Sequence, residues 1–393
     1  MVRSCVLPGV LIAELIHPSL IPRLIRAEWV YAELAQENRE LISDGDSRAM
    51  KRALVTGATG FIGRHLVRVL SERGYDVTCL VRNSSNRDSL NAYDPKFHVG
   101  DLEDEGSLGH AVNGMDFVFH LAGLTKSHRP SELIRVNQDG ARAVARACAV
   151  QSIPPVLIYA SSLAAAGPSL GIGARVETDA ASPVSHYGRS KLAGENALRE
   201  RIHTVPTSVV RPPIVFGEGD RDVFHLFKGI ARTGIHAIPS LHDYFFSAIH
   251  AHDLSIAMHH IAQSGKRLSA HDLSDGTYFV ADEEVVTYAE LGRMIGQALG
   301  RDRVKNLRIP HPLLCFFAAI SECIGYLKGE AGIINLDKAR EAKGGSWVCS
   351  PEKLKAEVGY QCIDSLRPRL EQTAAWYLEQ GWLATGQPNL EYR

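Results

Sequence analysis

The chain has 393 residues, a formal net charge of −1 and 45% hydrophobic residues. That length holds one large α/β domain plus a smaller one, and the near-zero charge gives no general electrostatic footprint for nucleic acid. The cysteines (Cys5, Cys79, Cys148, Cys315, Cys323, Cys349, Cys362) are scattered without zinc or dithiol spacing; they read as reduced thiols of a cytoplasmic protein with no metal site.

Residues 1–50 read as an N-terminal extension. Val6 to Ile16 is apolar but broken by Pro8 and Glu14, far short of the ~20 residues a bilayer requires, and no cleavage pattern of a signal peptide follows. Ala27–Leu41 has helical composition, and Met50 stands directly before the first strand-like run, a candidate natural start. From Arg52 short apolar runs alternate with helical stretches. Strands are expected at Ala53–Thr56, Asp76–Val81, Lys96–Val99, Phe117–Leu121, Val156–Tyr159 and Thr207–Val210, and helices at Phe61–Arg73, Ser131–Val150 and Tyr187–Arg201. Continuous apolar strands between amphipathic helices predict a parallel sheet covered on both faces. The regularity ends at Pro212-Pro213. Residues 51–212 are therefore expected to form the sheet domain, with 244–264 returning to it and a stretch around Phe246–Ala262 rejoining the main sheet. Residues 213–243 and 265–393 are expected to form a smaller substrate-binding domain. The apolar stretch Leu313–Leu327 carries Glu322 and reads as a core or interfacial helix, with contact to a membrane surface or a greasy substrate the lesser alternative.

The strongest local signal is Val55-Thr56-Gly57-Ala58-Thr59-Gly60-Phe61-Ile62-Gly63. A strand enters a glycine-spaced turn that opens a helix, the arrangement by which a Rossmann-type doubly wound fold seats a dinucleotide diphosphate on a helix N-terminus. About 20 residues on, where an acid would grip the ribose hydroxyls of NAD, the chain has Arg82, with Arg87 nearby. A guanidinium there suits a 2′-phosphate, so NADP is favoured and NAD stays open.

Tyr187 and Lys191 lie four residues apart, on one face of a helix. A phenol ionises near ~10, and a neighbouring cation should favour its phenolate and make it a better acid/base. The run Tyr159-Ala160-Ser161-Ser162 places hydroxyls at the carboxyl edge of the sheet, where ligands bind in such folds. Ser162 is the candidate to hold a substrate oxygen and Ser161 its competitor.

The set Thr56–Gly63, Asp101-Leu102, His120-Leu121-Ala122-Gly123, Asn137, Ser161-Ser162, Tyr187/Lys191 and Arg211-Pro212 resembles the extended short-chain dehydrogenase/reductase superfamily, also called the NAD-dependent epimerase/dehydratase family. The likeness runs from about Lys51 to Gly300 and weakly to Trp376-Tyr377 and Gly381-Trp382-Leu383. It implies that Gly57, Thr59, Gly60, Phe61, Ile62 and Gly63 cradle the cofactor, and that Asp101 and Leu102 flank its adenine. Leu121, Ala122 and Gly123 would line its diphosphate and ribose, Asn137 would support the site, and backbone at Pro212–Val215 would meet the nicotinamide. Tyr187 would be the acid/base, Lys191 its ribose-binding partner and Ser162 the donor to the substrate oxygen. His120, His250 and His252 read as packing and capping residues.

The centre is shared by reductases, epimerases and dehydratases, so it does not separate them. Arg82 and the run Gly100–Leu108 look like dihydroflavonol-reductase and 3β-hydroxysteroid-dehydrogenase relatives, implying a reductase or dehydrogenase for a small, fairly apolar substrate. Leu163-Ala164 after Ser162 disfavours a dehydratase. A nucleotide-sugar epimerase holding NAD stays open on Phe216–Gly219 and His252-Asp253, and so does a non-catalytic NAD(P)-binding module. The superfamily makes a homodimer the expectation.

Overall fold

The computed structural model describes residues 50–169, 173–328 and 335–383. Apart from Met50, the expected N-terminal extension lies outside them. Strand β1 (Arg52–Thr56) begins a seven-stranded sheet with β2 (Asp76–Val81), β3 (Lys96–Val99), β4 (Phe117–His120), β5 (Val156–Ala160), β6 (Thr207–Arg211) and β11 (Thr277–Phe279). The order is β11-β6-β5-β4-β1-β2-β3, and every neighbouring pair is parallel.

Both faces of the central strands β1, β4 and β5 are buried, which is why they read as apolar runs. Successive residues of β1 serve opposite cores. Ala53 and Val55 join Leu66, Leu70 and Cys79 on one side, and Leu54 joins Val118, Val144 and Leu157 on the other. The first face is covered by α1 (Phe61–Glu72) and α8 (Ala251–Ser264). The second is covered by α2 (Glu105–Val112), α4 (Gly140–Ala149) and α6 (His186–Arg199). Helix α3 (Pro130–Ile134) reaches α4 through a π turn at Arg135–Asp139.

Beyond β6 the chain makes a short helix α7 (Phe224–Thr233) and three two-stranded ladders. These pair β7 (Ile214–Phe216) with β10 (Ala248–His250), β8 (Ile235–Ile238) with β13 (Lys305–Arg308), and β9 (Phe245–Phe246) with β12 (Val286–Thr287). The stretch around Phe246–Ala262 thus rejoins the main sheet only through α8; its strand pairs with β7, and β11 completes the large sheet instead. Three-residue strands are too short to show a period in sequence. A third core gathers Phe216, Phe227, Ile295, Leu370 and Tyr377, using α9 (Tyr288–Ala298) and α13 (Leu366–Glu379).

Helix α10 (His311–Lys328) buries Leu314 and Ala318 against Ala339 of α11 (Leu336–Lys343), while Leu313, Phe316, Phe317, Ile320 and Ile324 are exposed on its other side. No described helix is long and apolar enough to cross a membrane.

Candidate active site

The β1–α1 turn is built for close backbone approach. Gly57 has φ +71°, and a Cβ there would lie 2.6 Å from the Ala122 nitrogen; at Gly63 it would lie 2.2 Å from the Gly57 carbonyl oxygen. Gly60 caps α1 with no side-chain hydrogen bond, leaving the helix N-terminus open to an anion. This turn forms one wall of a cleft of about 720 Å³, lined also by Leu121, Gly123, Ser161, Tyr187, Lys191 and Pro212.

Several expected cofactor contacts stand behind that lining or beside it. Ala122 donates its backbone N–H to Thr56 Oγ1 at 3.2 Å. Leu102 packs against Gly140, and the exposed Asp101 accepts the Glu103 N–H. Val215 supports the core on the α8 side. Arg82 is exposed directly after β2, where Asn86, Asp88 and Ser89 line the cleft. Arg87 lies over the Phe97 ring.

Arg64 and Arg221, not singled out in the sequence, also line the cleft. Arg64 Nε is buried with no hydrogen-bond partner among the described residues, and burial followed by the charge of Arg221 lowers its pKa. Two guanidiniums beside an uncapped helix N-terminus fit a dinucleotide diphosphate, which would relieve both costs.

Helix α6, which carries Tyr187 and Lys191, is capped by Ser185, whose hydroxyl accepts the Gly188 N–H at 2.9 Å. Tyr187 is half-buried and Lys191 buried. Lys191 Nζ donates to the Ala160 carbonyl at 2.7 Å and lies 4.9 Å over the Tyr159 ring. Burial lowers its pKa to about 8, against the opposing pull of Glu195. The phenol of Tyr187 behaves differently from the sequence expectation. Its pKa is raised, because burial outweighs the opposing pull of the Ser162 hydroxyl and of the positive charge of Lys338. The ammonium above its ring, at 5.8 Å, belongs to Lys338.

The two serines part company. Ser162 caps a short helix α5 (Leu163–Ala166) by accepting the Ala164 N–H, and its hydroxyl acts to lower the pKa of the Tyr187 phenol. Ser161 instead donates to Glu195, whose carboxylate takes both Nε and Nη2 of Arg211 at 2.9 and 2.6 Å. Asn137, in the π turn, clamps the site from behind. Its Oδ1 accepts the Leu124 N–H, and its Nδ2 donates to the Leu124 carbonyl and to Ser190 Oγ. A Cβ at Gly123 would lie 2.7 Å from that Oδ1 and 3.2 Å from Lys191 Nζ.

His120 and His250 are engaged in packing and capping. His120 pairs with Thr56 Oγ1 at 2.7 Å, stacks on Tyr159, and burial lowers its pKa to about 3. His250 caps α8, and its Nε2 lies 3.1 Å from Glu218. Asp253 is held by Arg369. Among the described residues no group of three or more His, Cys, Asp or Glu side chains could hold a metal.

A second, smaller cavity of about 100 Å³ adjoins Tyr187 and is walled by Lys126, His128, His186, Asp337, Lys338 and Glu341, among others. No motif marks α11 in the sequence; its neighbourhood arises from tertiary packing 150 residues away from α6.

The model of the NAD dependent epimerase/dehydratase family matches residues 53–272. The chain belongs to that family. The chain is 30% identical over 334 residues to the ceramide reductase of Caulobacter vibrioides, covering 84% of this chain and 95% of that one. It is 28% identical over 340 residues to a putative dihydroflavonol 4-reductase of Synechocystis sp., covering 84% and 96%. In fold it is similar to the UDP-glucose 4-epimerase of Thermus thermophilus solved in complex with NAD, at TM-score 0.66 and 21% identity, covering 83% and 98%. This family member is an enzyme of the extended short-chain dehydrogenase/reductase type.

Proposed function

We propose that this protein is a reductase or dehydrogenase that moves hydride between NADP(H) and a carbonyl/alcohol carbon of a fairly apolar substrate. The observation that carries the reading is the meeting of Tyr187, Lys191 and the glycine turn in one cleft. The bound nicotinamide would supply or accept the hydride. Ser162 orients the substrate oxygen beside Tyr187, and Tyr187 gives that oxygen its proton in reduction or takes it in oxidation. Lys191, one helical turn beyond Tyr187, binds the nicotinamide ribose. Gly57, Thr59, Gly60, Phe61, Ile62 and Gly63 seat the diphosphate, with Arg64 and Arg221 as its counter-ions. Arg82 meets the 2′-phosphate.

The direction toward a reductase is supported by the ceramide reductase and the dihydroflavonol reductase among the relatives that match most of the chain. Apolar substrate chemistry is supported by the exposed apolar side of α10, on the element next to α11. The residues that favoured an epimerase have structural work instead: Glu218 sits between His65 and His250, and Asp253 pairs with Arg369. The division into a nucleotide-binding part (51–212 with 244–264) and a substrate part is likewise proposed.

The test is NADPH oxidation with a panel of long-chain and steroid ketones, in the wild type and in Tyr187→Phe. Wild-type turnover that the substitution reduces to under a few per cent, with NADPH affinity retained, is the expected result. Tightly held NAD with no net NADPH consumption would overturn the reading in favour of an epimerase.

A further inference from the structure

Helix α11 grips the catalytic helix at its most sensitive point. The first N–H groups of a helix have no partner within it, and in α6 those of His186 and Tyr187 are both taken by one carboxylate, Asp337 Oδ1 at 2.8 Å and Oδ2 at 3.0 Å. That carboxylate is itself held by Arg340 at 3.1 Å. The next residue, Lys338, places its ammonium 5.8 Å over the Tyr187 ring and pairs with Glu341 at 2.7 Å. Positions 337, 338 and 341 share one face of a helix, and Asn335 starts that helix by accepting the Lys338 N–H at 2.9 Å. One turn of α11 thus fixes the backbone of residue 187 and sets a cation and an anion around its ring.

We propose that Asp337, Lys338 and Glu341 are positioning residues for Tyr187: Asp337 docks α11 onto the start of the catalytic helix, and the Lys338–Glu341 pair sets how readily the phenol gives up its proton. The inference rests on the reading of Tyr187 as the acid/base group. Lys338 acts to lower the phenol's pKa and Glu341 to raise it, so the two partners of one ion pair pull in opposite directions.

Other charged groups face the phenol as well. Lys191 lies one turn on along α6, and Tyr159 of β5 is near enough to feel the phenolate charge. Lys126, His128 and Glu322 share the smaller cavity with it, and Asp220, Arg221 and Asp222 share the larger cleft. Two substitutions of opposite sign on α11 separate its contribution from this background.

The experiment places 3,5-difluorotyrosine at position 187 of the full chain, whose ring fluorines bring the phenol into a titratable range, and follows its ionisation by 19F NMR. The Lys338 side chain is about half exposed, so solvent screens a unit charge at this distance to a fraction of its interior strength. Lys338→Met should raise the midpoint by about half a pH unit, Glu341→Gln should lower it by a similar amount, and Lys338→Arg should stay near wild type. Added 1 M salt should shrink both shifts. In an Asp337→Ala background the Lys338→Met shift should fall, because α11 loses its hold on α6. A loss of packing alone would move both midpoints the same way, and that result, or no movement in either, overturns the proposal. Glu341→Gln decides by its own sign if Lys338→Met does not fold. Turnover of Tyr187→Phe tests the underlying reading separately: activity there would remove the acid/base role while leaving the measured electrostatics intact.

Discussion

Arg211 and Glu195 form a two-pronged ion pair with side chains only 8% and 3% exposed, and Ser161 donates to the same carboxylate. Removing one partner of such a buried pair leaves an uncompensated charge, at a cost of about 3–5 kcal/mol. Arg211→Met should therefore lower the melting temperature by roughly 6–10 °C, taking about 2 °C per kcal/mol for a chain of this size. Replacing both partners removes the charge altogether. Arg211→Met with Glu195→Leu should recover most of the loss, leaving about 1 kcal/mol for the Ser161 hydroxyl that loses its acceptor. Urea unfolding followed by circular dichroism, for all four proteins of the cycle, measures these terms. A double variant as unstable as the sum of the singles would refute the argument, since it would mean that packing and not charge sets the cost.

Arg82→Asp should shift cofactor preference toward NAD, read as the ratio of kcat/KM for NADPH and NADH; an unchanged ratio removes Arg82 from the 2′-phosphate site. Gly63→Ala puts a Cβ 2.2 Å from the Gly57 oxygen and 2.8 Å from Ala58 Cα, so the turn must shift, and NADPH affinity by fluorescence titration should fall at least tenfold. His65 and His120 are held neutral by burial, with pKa values lowered to about 4 and about 3. The unfolded chain binds those protons near ~6.5, so stability drops as pH falls below that value, by up to about 1.4 kcal/mol per pH unit for each histidine. His120→Gln should flatten the unfolding-free-energy slope between about pH 6 and 4 by one proton, and an unaltered slope would show that His120 already titrates normally in the folded protein.

What the chain encodes locally was readable from it. The apolar runs at Ala53–Thr56 and Val156–Tyr159 match the strands observed at Arg52–Thr56 and Val156–Ala160, because a central strand buried on both faces must be largely apolar. The glycine turn and the spacing of Tyr187 and Lys191 are likewise local: a tight turn needs Gly57, and a helix puts residues four apart on one side. The short strands β10 and β11 carried no such signal, so the sequence did not show that β11 completes the large sheet while β10 pairs with β7. Position alone also said little about electrostatics. Lys191, near in sequence, turns to the Ala160 carbonyl, whereas Lys338, 151 positions from Tyr187, overhangs the phenol. Sequence by itself determined the fold class, the family and the glycine turn between β1 and α1, since periodicity and backbone conformation depend on neighbouring residues. Tertiary structure decided which cation reaches the phenol and which serine stays free of the Glu195–Arg211 pair. Those outcomes depend on distances through space, which chain order does not constrain.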